Sequence, residues 1–419
     1  MIFRSLYYLR QAMRNQWKSE SELKIVQDKL IRNLVRKAYT TSPFYHYLYK
    51  KHKVKLDSIK TYGDLTKLPI ITKEDIQKYF LTVKQNFDER YIVRKTSGST
   101  GRPLQVYFTP KEWDYIETIY ARSLFGCGYR PYEKLLVSYP YGNPKLKWFT
   151  NFGLMRKEII PTNAPVSQLA RVLHRNVNAS LYGFPSVFRL LLEETRFKIP
   201  KIKRIISTGE LLNDNLKKDL IEHFNCPVYN HYGSMEFNRI SWDCTKQEGL
   251  HMDIDALAIE FIKDGEQVNE DEDGDIIISN LHNYIFPLIR YRQGDVGSFV
   301  KEKCSCGRGL PLMKNLRGRN NDYIVVDGNK LISPVYLDVI LGEIKGIIQY
   351  RLIQKSLGVF DIYMVKSSGY DKEGICMSVF KKINKITKVN KMNYHFVKQI
   401  EREKGGKLRT IISKCDRMK

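Results

Sequence analysis

No stretch of this chain approaches the roughly eighteen consecutive apolar residues that a membrane-crossing helix requires. The amino-terminal run MIFRSLYYLRQAMRNQWK is broken by arginines too often to serve as a secretory signal. Cysteine is scarce: seven among 419 residues, an odd number and widely scattered apart from Cys304-Ser305-Cys306. That excludes a secreted disulfide framework and makes the cytoplasm the expected compartment. Acidic side chains are also short, 45 Asp and Glu against 70 Lys and Arg, a formal charge of +25. Such a balance favours anionic partners, among them nucleotides, coenzyme A, nucleic acid or an acidic membrane face. The nucleic-acid option lacks an RNP pattern, a basic helix or zinc-finger spacing, so no nucleic-acid partner is expected. The Walker pattern G-x-x-x-x-G-K-[ST] is missing too.

What is present is a globular composition, 42% hydrophobic and 12% aromatic, long enough for two or three domains. Residues 1–60 read as helices. Ile2, Phe3, Leu6, Tyr7 and Leu9 share a face, either resting on an anionic membrane or packed on the protein itself. Leu23, Val26, Leu30 and Leu34 continue the helical period until Ser42-Pro43 stops it. Thr72 and Asp75 read as a capping box that opens a helix. Residues 110–125 are helical in pattern, and Leu135–Tyr139 reads as a buried strand. Between 166 and 230, helices at 166–175, 185–196 and 213–224 alternate with strands at 180–182, 204–207 and 228–230. That order predicts a parallel α/β sheet. From 255 to 300 the texture changes to β-hairpins, with 258–262 and 275–279 flanking an acidic turn. Residues 317–322 read as a polar linker, and 323–419 as a separate α+β domain with a basic end.

Three loops carry candidate chemistry. Thr96-Ser97-Gly98-Ser99-Thr100-Gly101-Arg102-Pro103 gathers glycines, hydroxyls and a cation into an anion-binding nest ahead of the strand Leu104–Phe108. Thr208-Gly209-Glu210 and His231-Tyr232-Gly233-Ser234-Met235-Glu236 fall at the carboxyl ends of predicted strands, where open α/β sheets bind ligands.

Taken in order, Thr96–Pro103, Tyr232-Gly233-x-x-Glu236, Arg290-Tyr291-Arg292-Gln293-Gly294-Asp295, Gly318-Arg319-x-x-Asp322 and Gly406-Lys407 resemble the adenylate-forming superfamily. Leu68–Lys73, Tyr182–Ser186 and Cys304-Ser305-Cys306-Gly307-Arg308 resemble its phenylacetate–CoA ligase branch, in particular the CapK-type capsular-polysaccharide proteins. The resemblance implies a large adenylation domain over 1–320, with parallel α/β sheets and a small β-barrel-like portion. It also implies a small, mobile α+β lid over 321–419. The implied activity joins a carboxylic acid to ATP as an acyl-adenylate, then passes the acyl group to coenzyme A. An amine or hydroxyl acceptor, such as an amino sugar in capsule or O-antigen assembly, is the alternative. A scaffold without turnover stands further off.

The same resemblance distributes roles. Ser97, Gly98, Ser99, Thr100 and Gly101 would grip the ATP phosphates, and Glu236 would hold Mg²⁺. Gly209, Glu210 and Tyr232 would flank the adenine, with Gly233, Ser234 and Arg319 also on the nucleotide. Asp295 would accept the ribose hydroxyls, and Lys407 would stabilise charge growing on the α-phosphate. The lid would turn about Asn320–Asn321. Gln293, where the family usually has Thr, and Asn321 depart from the pattern. Tyr139, Tyr141 and Phe184 line the acid pocket or belong to the core.

Cys244-x₆-His251 and Cys304-x-Cys306 supply four ligands, enough for a closed structural zinc. The resembling branch implies such a site, and free buried cysteines are the other reading. His223 and His231 have no partner spacing.

Overall fold

The computed structural model describes residues 2–82, 89–96, 103–138, 152–162, 164–193, 200–319, 323–326, 331–332, 334–403 and 406–415. They fall into two compact units, Met1–Tyr129 with His231–Leu316, and Arg130–Asn230 with Arg317–Lys419. The mixed α/β architecture expected from the sequence is present. The nest loop Ser97–Arg102, the aromatics Tyr139 and Tyr141, the hinge Asn320–Asn321, Asp322 and Gly405 lie outside the described residues.

In the first unit, helices Ile2–Asn15, Glu20–Thr41 and Pro43–Lys51 cover the chain's start. Ser19 and Glu22 close a reciprocal capping box on the second of these. Its buried stripe is Leu23, Gln27, Ile31, Leu34, Val35 and Ala38. Gln27 is tolerated there because its amide donates to the carbonyls of Ile254 and Leu257 at 3.1 and 2.9 Å. The first helix packs on its own unit, tied by Asn15 to Asp255 at 2.9 Å and by Arg4 to Asp114. It still leaves Phe3, Leu6 and Tyr7 exposed, with Trp17 just beyond it. The Thr72–Asp75 box is formed, and helix Lys73–Thr82 follows it.

The expected hairpin is an antiparallel pair, Leu257–Lys263 on Gly274–Asn280, with Ala258 opposite Ser279 and Ile262 opposite Asp275. Its inward side chains Ile259, Phe261, Ile276 and Ile278 are buried. Neighbouring strands follow in the order Gly274–Asn280, Tyr291–Val300, Leu312–Arg319, Leu250–Met252, Asn238–Asp243 and Val228–Ser234. Among the described residues no closed barrel is found in this β-rich portion. Two local readings change. Residues 317–319 read as linker because they are polar, yet they end the strand Leu312–Arg319. That strand's register is set earlier, by Leu312 opposite His251 and Met313 opposite Leu250. Likewise His231–Ser234 read as loop but complete the strand Val228–Ser234, held by antiparallel pairing to Asn238–Asp243.

In the second unit the alternation does produce a parallel sheet. Leu135–Ser138 pairs in parallel with Lys157–Ile160 and with Ser180–Gly183, which pairs with Arg204–Thr208. Helices Val166–Arg175, Pro185–Glu193 and Asp214–Phe224 connect the strands. Their apolar faces meet the sheet through Leu173, Phe188, Leu191 and Leu220. The end of the chain forms its own four-stranded sheet. Ile347–Ser356 lies antiparallel to Val359–Lys366, with Ile411–Ser413 and Lys391–Phe396 added in parallel outside them. Helices Pro334–Gly342 and Lys372–Asn384 help close its core of Leu352, Phe360, Ile362, Val379 and Ile383.

Candidate active site

The described site residues gather in two clusters, one in each unit. In the first unit, the pairing of Val228–Ser234 with Asn238–Asp243 makes a hairpin whose tip carries Glu236. The turn needs Gly233, because a Cβ there would lie 2.0 Å from the Asn238 carbonyl oxygen. Asn238 takes the left-handed conformation that asparagine tolerates, and the Ser234 hydroxyl accepts from the Phe237 amide at 3.3 Å. Tyr232 leaves this strand toward Tyr291–Val300, where its hydroxyl donates to Asp295 Oδ2 at 2.7 Å. One further residue on that strand joins the group without having been assigned a role: Tyr291, whose hydroxyl reaches Glu236 Oε1 at 3.5 Å. Its place inside the Arg290–Asp295 block was the available signal. Glu236 is buried, and among the described residues that long bond is the one its carboxylate receives. A carboxylate has about four lone-pair sites, so most of its capacity remains for a hard cation such as Mg²⁺.

In the second unit, Gly209 follows strand Arg204–Thr208 at φ +80°. A Cβ at Gly209 would press into the Phe184 ring at 2.4 Å and sit 3.6 Å from Lys407 Cε. Gly209, Phe184 and Lys407 therefore meet, and Phe184 is a buried wall of this corner. Glu210 turns its carboxylate onto the start of helix Pro185–Glu193, accepting from the Ser186 amide and hydroxyl, both at 2.9 Å. It also accepts from the Leu408 amide, the residue after Lys407. The main chain of Arg319 is at the end of its strand.

The four metal-ligand candidates come together in the first unit, their ligand atoms all within 4.8 Å of one another. Cys244 Sγ lies 3.6 Å from Cys304 Sγ, and Cys306 Sγ lies 3.4 Å from His251 Nε2. Tetrahedral zinc with ordinary Zn–S bonds would separate its sulfurs by about 3.8 Å. His251 Nδ1 is 3.1 Å from the Leu310 carbonyl, a bond that places the proton on Nδ1 and leaves Nε2 as the ligand atom. Glu248 fixes the Cys304–Cys306 loop by accepting from the Ser305 amide and hydroxyl at 2.7 and 2.6 Å. With four protein ligands, such a site has no open position for chemistry. His223 packs edge-on against Phe224, and His231 is buried, where loss of water and the charge of Arg239 disfavour its protonation.

A buried charge network in the same unit had no counterpart in the sequence reading. Arg122, wholly buried on helix Pro110–Gly126, pairs with Asp253 and Asp255 at 2.6 and 2.7 Å. Its only sequence signals were an arginine inside an apolar helical stripe and the D-x-D spacing 130 positions away.

Residues 324–414 match the CapK C-terminal domain family. A phenylacetate–coenzyme A ligase of Thermus thermophilus is 24% identical over 364 residues, 81% of this chain and 80% of that protein. Protein CapK of Staphylococcus aureus is 25% identical over 402 residues, covering 89% and 85%. Among solved structures, 2-hydroxyisobutyryl-CoA ligase in the postadenylation state, in complex with 2-HIB-AMP, superposes with a TM-score of 0.80 at 18% identity. That alignment covers 96% of this chain and 91% of the other. The O-succinylbenzoate coenzyme A synthetase of Bacillus subtilis, solved with ATP and magnesium, gives 0.53 at 16% identity over 76% and 68%.

Proposed function

From a chain that is a homologue of the phenylacetate–CoA ligases and of CapK, with the fold of adenylate-forming CoA ligases, we propose an ATP-dependent acid–thiol ligase. The substrate carboxylate attacks the α-phosphorus of ATP, and pyrophosphate leaves with the broken P–O bond. A thiolate, that of coenzyme A, then attacks the acyl carbon and displaces AMP. The observation that carries the reading is the Tyr232–Asp295 bond beside the buried Glu236. Asp295 offers paired oxygens to the ribose hydroxyls, with Tyr232 fixing its orientation and laying a ring toward the base. Glu236 would hold Mg²⁺, which neutralises phosphate charge when bound. Gly209 would flank the adenine, Lys407 would stabilise charge growing on the α-phosphate, and residues 321–419 would act as the lid that carries Lys407. The loop Ser97–Gly101 would take the β- and γ-phosphates.

The test is pyrophosphate release from ATP and Mg²⁺ across a panel of carboxylic acids. Release triggered by one acid class supports adenylation; ATP binding without release for any acid counts against it. Adding coenzyme A or an amino sugar then identifies the acceptor. The amino-sugar arm tests the alternative acceptor.

We also assign a structural zinc to Cys244, His251, Cys304 and Cys306. Cys304→Ser is expected to lower bound zinc from about one ion per chain to near none. It should also depress the first unfolding midpoint by about 5 °C or more. Elemental analysis and calorimetry check both, and an unchanged metal content would remove the site. No helix among the described residues is long and apolar enough to cross a membrane. Peripheral contact with an anionic membrane face draws support from exposed Phe3, Tyr7 and Trp17 alongside exposed Arg10 and Arg14. Co-sedimentation with anionic but not neutral vesicles, lost in Phe3→Glu, is its expected signature. Cytoplasmic residence, where ATP and coenzyme A are supplied, completes the proposal.

A further inference from the structure

The Lys407 segment is held by a buried contact set that the proposed mechanism has not yet used. Arg402 Nη1 donates to the Ser186 hydroxyl at 2.7 Å and to the Gly406 carbonyl at 3.0 Å. The same guanidinium stands 3.5 Å from Glu210 Oε1, with the two side chains 8% and 9% exposed. Glu210 in turn grips both sides, the Ser186 amide and hydroxyl and the Leu408 amide. Between these holds the chain turns tightly. Gly406 N donates to Glu403 O at 2.7 Å and Glu403 N to Lys407 O at 2.9 Å, with Gly406 at φ +77°. Arg351 secures the flanks through the carbonyls of Glu401 and Arg409 at 2.6 and 3.0 Å. Lys407 is thus clamped on its amino side by Arg402 and on its carboxyl side by Glu210. Its Cε comes to 3.6 Å from the space above Gly209.

We propose that Glu210 and Arg402 are positioning residues for Lys407: a latch that docks its segment beside Gly209 for the adenylation step. This rests on the ligase reading. The physics favours a releasable latch. An ion pair with shared hydrogen bonds at this degree of burial fixes geometry strongly, yet neither partner is irreversibly sequestered from water. A lysine needed at the α-phosphate gains rate from being pre-placed, because a misplacement near 1 Å can cost about 100-fold. In transfer from a finished acyl-adenylate to a thiol, the acyl C–O bond breaks and its electron pair goes to the phosphate oxygen of the departing AMP, so charge grows on that phosphate in both half-reactions. The latch therefore predicts a loss in kcat that leaves ATP binding intact, whereas a merely structural pair would impair both alike.

The experiment uses the full chain with Glu210→Ala, Arg402→Ala and the conservative Arg402→Lys. Hydrogen exchange at the Leu408 amide reads docking without any substrate. It should quicken about 10-fold or more in both alanine variants, while the strand Ile411–Ser413 keeps its protection. In Arg402→Ala, acid-dependent pyrophosphate exchange should fall about 10- to 100-fold in kcat with little change in KM for ATP. Arg402→Lys keeps the charge but loses the forked donation, and should recover exchange partially. Unaltered Leu408 exchange, or ATP binding lost to the same extent as turnover, overturns the latch. If the wild type makes no acyl-adenylate although the Leu408 amide responds as expected, the ligase reading falls and the positioning role falls with it. That outcome is distinct from a latch that fails in an active enzyme.

Discussion

Lys407→Ala is expected to slow acyl-adenylate formation by about 100- to 1,000-fold while ATP still binds. The expectation follows from where charge grows. Attack of a carboxylate on the α-phosphorus loads negative charge onto the phosphate oxygens, and a pre-placed ammonium stabilises that transition state more than the ground state. The effect should appear in kcat and in kcat/KM together, the pattern of a contact made only in the transition state. Lys407 meets the requirement of pre-placement, since its turn is bonded at Glu403 and Gly406 and its neighbour Leu408 at Glu210. Lys407→Arg keeps the charge on a larger planar group, and beside the Phe184 and Gly209 corner it should restore only a small part. Single-turnover pyrophosphate release, with ATP binding followed separately, makes the measurement. A variant that loses ATP binding to the same extent as turnover would show that Lys407 only binds. One with undiminished release would take it out of the reaction.

How much of this was legible beforehand depended on the range of the interactions. Short-range chemistry could be read: the Thr72–Asp75 cap, the helices read at 110–125 and 166–175, and the hairpin about the acidic turn are all set within a few residues. The parallel sheet was readable because its strands and helices alternate. Glu236 and Asp295 stood out in the sequence because glycine and tyrosine neighbours mark them, and the structure adds a bond from Tyr232 to Asp295. Register was not readable. Whether His231–Ser234 is loop or strand is decided by Asn238–Asp243 coming back alongside it. Arg402 was lost among the lysines and arginines of a basic tail, because what distinguishes it is burial against Ser186 and Glu210, about 200 residues earlier. All four metal-ligand candidates were named from the sequence, through their Cys and His content and the resembling branch, whereas the pairing of Leu312 with His251 that sets the histidine beside the cysteines was not readable.

The largest expected loss of stability comes from a residue that touches no substrate. Arg122→Met should destabilise the first unit by about 3–5 kcal/mol, since it strands two buried carboxylates without their counter-charge. Arg122 donates from Nη2 to Asp253 Oδ1 and Asp255 Oδ1, and from Nη1 to Asp255 Oδ2 at 2.9 Å and the Ala12 carbonyl at 3.0 Å. All three side chains are fully buried. Burial alone would raise both carboxyls. Against that burial the bidentate Arg122 holds Asp255 below the usual carboxylate range, while Asp253 is pushed up to about 6. One guanidinium therefore does not fully offset two acids, and removing it leaves a buried charge that packing cannot absorb. Methionine keeps the volume, so the measured cost is electrostatic and not that of a cavity. The triple variant Arg122→Met, Asp253→Asn, Asp255→Asn should lose less than Arg122→Met alone, because no buried charge is then unpaired. Denaturant unfolding of the three proteins makes the comparison, taken at the earliest transition because a chain of two units need not unfold in one step. A cost under about 1 kcal/mol for the single variant would mean that water or rearranged partners replace the arginine. The loss has a second, local readout. Ala12 and Asn15 attach the first helix to this network, Asn15 through Asp255 at 2.9 Å. The single variant should therefore also free Ile2–Asn15 to proteolysis well before the strands that carry Glu236 and Asp295 open.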